Sequence, residues 1–204
     1  MLDRKSSKLH HQSNSGFTLV ELIIVMVVIG ILTSFMFSIF NNTFNQYFAL
    51  QREGTNFTDL ASQSHRISNV LRGATDVTIA NNSELEVYAY FAPSDIYVSK
   101  IRYYKNATGK KILADITNMT ANPPIGVPIP SSLKTYTILD NYTTVSGIDL
   151  FDYLSSAGDD LPMPITDLTT IKGIKVNLAV PTSNSNVYQS VSVQVNLRNR
   201  KTNL

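Results

Sequence analysis

The chain has 204 residues, 43% of them hydrophobic and 16% charged, which is enough for one membrane helix and one globular domain and too little for a second large domain. Its formal net charge of +2 is used up near the N-terminus, where Arg4, Lys5 and Lys8 outweigh Asp3. The rest is close to neutral, and no strongly basic nucleic-acid-binding surface is indicated. Cysteine is absent, so no disulfide staples the fold and no thiol nucleophile is available.

The first sixteen residues are polar, with His10 and His11 adjacent and no further ligand type at metal spacing. The stretch Ser15 to Phe40 then reads SGFTLVELIIVMVVIGILTSFMFSIF. From Leu22 to Phe40 no residue is charged, and at 1.5 Å per residue such a helix is about 28 Å long, close to a bilayer core of about 30 Å. The residues after it, Asn41, Asn42, Thr43 and Phe44, do not offer the small-residue cleavage site of a secretory signal peptide. A plain signal anchor accounts for the basic leader and the apolar run, but not for Gly16 just before the run or Glu21 inside it. An acid within a membrane helix costs about 2.5 to 3.5 kcal/mol near the centre and less near an end, so Glu21 calls for a partner. Basic residues before the span and none just after it put the leader in the cytoplasm and the C-terminal body outside.

Gly16, Phe17, Thr18, Leu19, Val20 and Glu21, followed by an uninterrupted apolar helix, resemble the leader junction of type IV prepilins and type II secretion pseudopilins. The resemblance covers Ser15 to Phe40. It implies an inner-membrane protein cut by a prepilin peptidase between Gly16 and Phe17, N-methylated on Phe17, and then assembled with other pilin subunits through an assembly platform. It also implies that Glu21 meets the new amine of a neighbouring subunit. Elementary chemistry is compatible with this, because cleavage turns an amide into an amine with a pKa of about 7.7 to 8.0 that stays cationic on monomethylation. Phe17 and Glu21 are related as i and i+4, so the same pairing is also open within one subunit. A further reading leaves Glu21 at the cytoplasmic headgroup level with no assembly role. The family's frequent proline in the later half of the membrane segment is missing here, where Ser38 stands.

Beyond Phe40 the helical pattern continues. Phe44, Phe48, Phe57, Leu60, Ser64, Ile67 and Leu71 recur mostly three or four apart, with Gln51, Arg52, Asp59, Gln63 and Arg66 on other faces. Gly54 marks a possible bend and Gly73 a stop. The sequence thus divides into a leader (1–16), a transmembrane helix (17–40), its amphipathic continuation (41–73) and an extracytoplasmic β-rich domain (74–204). Within the last, strands are predicted at 76–80, 84–91, 96–104, 111–116, 134–139, 171–180 and 187–197, the final two as a hairpin closed by the turn 182–186. Alternation of Leu85, Val87, Ala89 and Phe91 with Glu84, Glu86, Tyr88 and Tyr90 predicts one face packed on the long helix and one wet. Prolines at 123, 124, 128 and 130 make 122–131 a loop. The expected fold class is α+β, pilin-like, with a long N-terminal helix packed on an antiparallel sheet and Phe57, Leu60, Ile67 and Leu71 against the strands.

Two stretches of the body invite a functional reading. Asp149, Asp152, Asp159 and Asp160 gather in 148–164, but the segment lacks the spacing and glycine of an EF-hand loop, which favours a solvated loop over a calcium site. Tyr88, Tyr90, Tyr97, Tyr103 and Tyr104 could stack on sugars or bases, although cross-strand packing explains them more simply. His65 is the one histidine after the leader, and no phosphate loop, H-E-x-x-H or G-x-S-x-G motif is present. No catalytic residue, cofactor or metal is therefore expected. Two functions follow. The first is a structural subunit, a minor pilin or J-type pseudopilin of a type IV pilus, competence pilus or type II secretion filament, held in membrane lipid before assembly. The second is an extracellular binding module, a tip adhesin or DNA-uptake subunit, for which the pilin helix is only a mount.

Overall fold

The computed structural model describes residues 16, 18–182 and 187–197. The chain forms two compact units that divide between Phe48 and Ala49. One helix, α1 (Leu19–Arg72), contributes to both.

In the first unit every described residue from Thr18 to Phe48 is exposed. The residues are predominantly apolar, and α1 is long and apolar enough to cross a membrane. Two hydroxyls in this run are satisfied by the helix itself: Thr33 Oγ1 donates to the Ile29 carbonyl at 2.7 Å and Ser34 Oγ to the Gly30 carbonyl at 2.9 Å. Such back-bonding lets Thr and Ser sit in an apolar helix without leaving an unpaired donor. Phe40, Phe44 and Phe48 stack successively, with centroids 6.3 and 6.5 Å apart, as i, i+4 aromatics on one face do.

In the second unit α1 is amphipathic. Leu60, Ser64, Ile67, Ser68, Val70 and Leu71 are buried, a stripe at helical spacing. Leu60, Ile67 and Leu71 meet the strands as expected, whereas Phe57 is 49% exposed. Phe57 follows the stripe, but the buried part of the helix begins only at Leu60. The helix runs through Gly54 without interruption and ends at Arg72, where the Gly73 and Ala74 N–H groups donate to the Val70 and Leu71 carbonyls in a closing turn.

The strands form two antiparallel sheets rather than one. The first is a five-stranded meander in the order β1 (Asp76–Asn81), β2 (Glu84–Ala89), β3 (Ser99–Lys105), β4 (Ile112–Asn118), β5 (Lys134–Leu139). The second is β6 (Phe151–Leu154), β7 (Gly173–Pro181), β8 (Tyr188–Asn196). The last two make the predicted hairpin; of its turn, 183–186 lies outside the described residues. β2 stops at Ala89 and β3 starts only at Ser99 because Asp95 captures the chain between them. Its Oδ2 accepts from the N–H groups of Phe91 at 3.2 Å and Ala92 at 2.9 Å, a local turn that competes with the ladder.

The predicted loop at 122–131 carries a short bridge, Met119 with Pro128, and a 3-10 turn at Pro130–Ser132. Gly126 is required there, since a Cβ at this position would overlap the Ala121 carbonyl.

The core lies between α1 and the inner faces of both sheets. It joins Leu60, Ile67 and Leu71 to Leu85, Val87, Ile101 and Tyr103 of the meander and to Phe151, Tyr153, Ile174, Val176 and Leu178 of the second sheet. Tyr153 ties the sheets together, its hydroxyl lying 2.9 Å from the Asn81 carbonyl and 3.2 Å from that of Glu84. Burial pushes the Tyr153 and Tyr103 phenols well above their ordinary pKa, so both stay neutral.

Candidate functional site

The residues singled out by sequence lie at the start of α1. Gly16 is exposed and a Cβ there would meet nothing within 4 Å, so the fold itself places no demand for glycine at this position. Phe17 lies outside the described residues. Thr18 is the residue before the helix, and its carbonyl accepts the first helical bond from Leu22 N–H at 3.2 Å.

Glu21 is exposed and has a local partner that the sequence reading overlooked. Thr18 Oγ1 accepts from Glu21 N–H at 3.2 Å, while Glu21 Oε2 accepts from Thr18 N–H and Thr18 Oγ1, both at 3.3 Å. This is a reciprocal capping box, with Thr18 as N-cap and Glu21 as the third helical residue. Two otherwise orphaned backbone donors of the helix start are satisfied, and a carboxylate stands where the helix dipole favours negative charge. The signal was present as T-x-x-E immediately before an apolar run. One Glu21 oxygen, Oε2, carries both accepted bonds.

The remaining candidates do not converge on a site. The segment 148–164 is not simply a solvated loop, because β6 lies within it. Asp152 Oδ2 accepts from Asn177 Nδ2 at 2.8 Å and lies 3.9 Å from Lys175 Nζ, and Asp149 accepts from Asn82 Nδ2. These acids are used in joining strands. Among the described residues no group of three or more His, Cys, Asp or Glu side chains is placed to hold a metal.

The tyrosines scatter by strand parity. Tyr103 is fully buried, while its neighbour Tyr104 lies on the outer face with the Arg102 guanidinium 4.6 Å from its ring centroid. Tyr90 and Tyr97 are exposed in the β2–β3 connection. The outer face of the meander is instead a charge ladder. Arg102 Nε binds Glu84 Oε1 at 2.7 Å, which raises the guanidinium pKa further, and Lys100 Nζ lies 3.1 Å from Glu86 Oε2. His65 is exposed on α1.

Compared with known proteins, the chain matches the prokaryotic N-terminal methylation motif over residues 11–37. It therefore carries the leader signature of type IV prepilins and pseudopilins. The motif supports a pilin-like or pseudopilin precursor, a class of structural subunit, and implies a prepilin peptidase and other pilin subunits as partners. The apolar helix fits a single-pass inner-membrane anchor. No curated protein matches the chain.

Proposed function

We propose that this protein is a structural subunit of a pilin-like filament, a minor pilin or pseudopilin, cleaved between Gly16 and Phe17, methylated on the Phe17 amine, and docked through Glu21 onto the amine of a neighbouring subunit. The observation that carries the proposal is the methylation motif lying directly on a helix whose apolar surface is exposed from Thr18 to Phe48. That surface first needs lipid and later needs the equivalent helices of other subunits, because nothing in its own unit covers it. In this proposal residues 1–16 are removed, 17–40 span the membrane and the body from 74 onward lies outside the cytoplasm.

The capping box sharpens the test of Glu21. Glu21→Leu removes both the cap and the charge, but Glu21→Gln keeps the capping geometry and removes only the charge. An unpartnered cation in a dry filament core costs several kcal/mol, whereas a lost cap costs about 1 kcal/mol. Both variants are expected to be processed to N-methyl-Phe17, as read by mass spectrometry, and to reach the membrane at normal abundance. Both are expected to fall at least tenfold in sheared filaments or in crosslinks to neighbouring pilins. If Glu21→Gln assembles like the parent protein while Glu21→Leu does not, Glu21 is a helix cap and not a docking charge. An intact Met1 terminus in cells with an active prepilin peptidase would overturn the proposal as a whole.

A further inference from the structure

We propose that the outer edge of β8 is a self-association site, at which two copies of this chain join their three-stranded sheets across a two-fold axis. Two bonds that bracket the β7–β8 ladder establish its phase. Thr182 N–H donates to the Val187 carbonyl at 3.0 Å and Leu197 N–H to the Lys172 carbonyl at 2.9 Å, with unbroken register from Pro181↔Tyr188 to Gly173↔Asn196 between them. Odd-numbered residues of β8 therefore bond to β7. The N–H and C=O groups of Tyr188, Ser190, Ser192, Gln194 and Asn196 point away from it, as alternate residues of an edge strand must.

The other sheet edges are all blunted. β1 has the 3-10 turn Leu168–Thr170 beside it and shifts register between Val77 and Ile79. β5 opens on Lys134 and shifts register opposite Ile112 and Leu113. β6 has only four residues, and two of its outward groups are taken: Phe151 N–H donates to the Asn82 carbonyl, and the Tyr153 carbonyl accepts from Leu161 N–H. Among the described residues, β8 has none of these devices. It is nine residues long, without a bulge, and from Val187 to Leu197 contains no charge, proline or glycine. Natural edges are rarely left in this state unless something pairs with them.

The strand's own sequence argues for a second copy as the occupant. In antiparallel self-pairing centred on Ser192, all five outward residues find partners: Ser192 faces Ser192, Ser190 faces Gln194, and Tyr188 faces Asn196. The inner face sets Val191 against Val193, both only partly buried in the single chain. No like charges oppose each other. Because the described residues of each chain offer one such edge, the assembly closes at two and does not propagate.

The test uses the absence of cysteine. Paired residues of this type have Cα atoms about 5.5 Å apart, within disulfide range. In intact cells producing the full-length chain, mild oxidation of Ser192→Cys is expected to yield a covalent dimer, at least tenfold more than Ser190→Cys, whose thiols stand four residues out of register. Because Ser192 Oγ bonds to Asn177 Oδ1 at 2.7 Å, its replacement could reduce folding; the Ser190→Cys, Gln194→Cys double variant then reports the same register and is expected to crosslink. Adding Ser190→Pro to Ser192→Cys blocks an outward N–H only, and is expected to remove the dimer at unchanged protein abundance. Equal crosslinking from every single-cysteine position, no dimer from a normally accumulating Ser192→Cys and double variant, or crosslinks solely to a different protein would each overturn the proposal.

Discussion

The two parts of α1 bury apolar surface by opposite means. From Leu19 to Phe48 the apolar side chains surround the helix and all are exposed, whereas from Leu60 to Leu71 they form a stripe and are covered by the chain's own strands. A helix apolar on every side cannot be satisfied by one sheet, so its environment must come from lipid or from other helices. A helix apolar on one stripe is complete once the body folds. Substitutions in the two parts should therefore report on different equilibria, membrane residence for the first and folding for the second.

The largest separation is expected from a core truncation. Leu71 is fully buried, and Leu71→Ala is expected to destabilise the body by about 2 to 5 kcal/mol in denaturant unfolding of the detergent-solubilised chain, with membrane insertion unchanged. The converse is Val28→Lys, which places a charge near the middle of the exposed apolar stretch. Its insertion is expected to be disfavoured by about 2.5 to 3.5 kcal/mol in a membrane-partitioning assay, while the body unfolds at the same denaturant concentration. If either variant moves both quantities equally, the two parts of the helix are not independent.

Smaller effects sharpen the description of the body. Tyr153→Phe removes the hydroxyl shared between the Asn81 and Glu84 carbonyls and is expected to cost about 0.5 to 1.5 kcal/mol of folding stability, the net worth of a hydrogen bond to partly exposed acceptors. The pH dependence follows from the same burial. Tyr103 and Tyr153 hold their protons in the folded state to a pH above the ordinary value of about 10, so above that point the unfolded chain releases protons that the folded chain keeps. Their stabilising contribution is complete below about pH 10 and is lost as pH rises through the folded values. These two tyrosines are thus expected to add a falling slope approaching two protons to the stability of the body, and Tyr153→Phe should reduce the slope by one.

Much of this protein is written locally. The methylation motif, the long apolar helix, its stop at Gly73 and most strands of the first sheet are legible because each depends on neighbours in sequence: an uncharged run, a period of 3.6, an alternation of two, a proline-rich loop. The capping box at Thr18 and Glu21 was equally local and equally legible. What tertiary structure decided depends on partners distant along the chain. Phe57 fits the stripe, yet it stays exposed because the core reaches only to Leu60. β6 is four residues amid aspartates and becomes a strand because β7 pairs with it. Tyr103 and Tyr104 are the same residue type side by side, and the pleat sends one to the core and the other to the charge ladder. An edge strand shows the same limit: its sequence displays alternation and lack of charge, but only the assembled sheet decides which of its backbone groups remain without a partner.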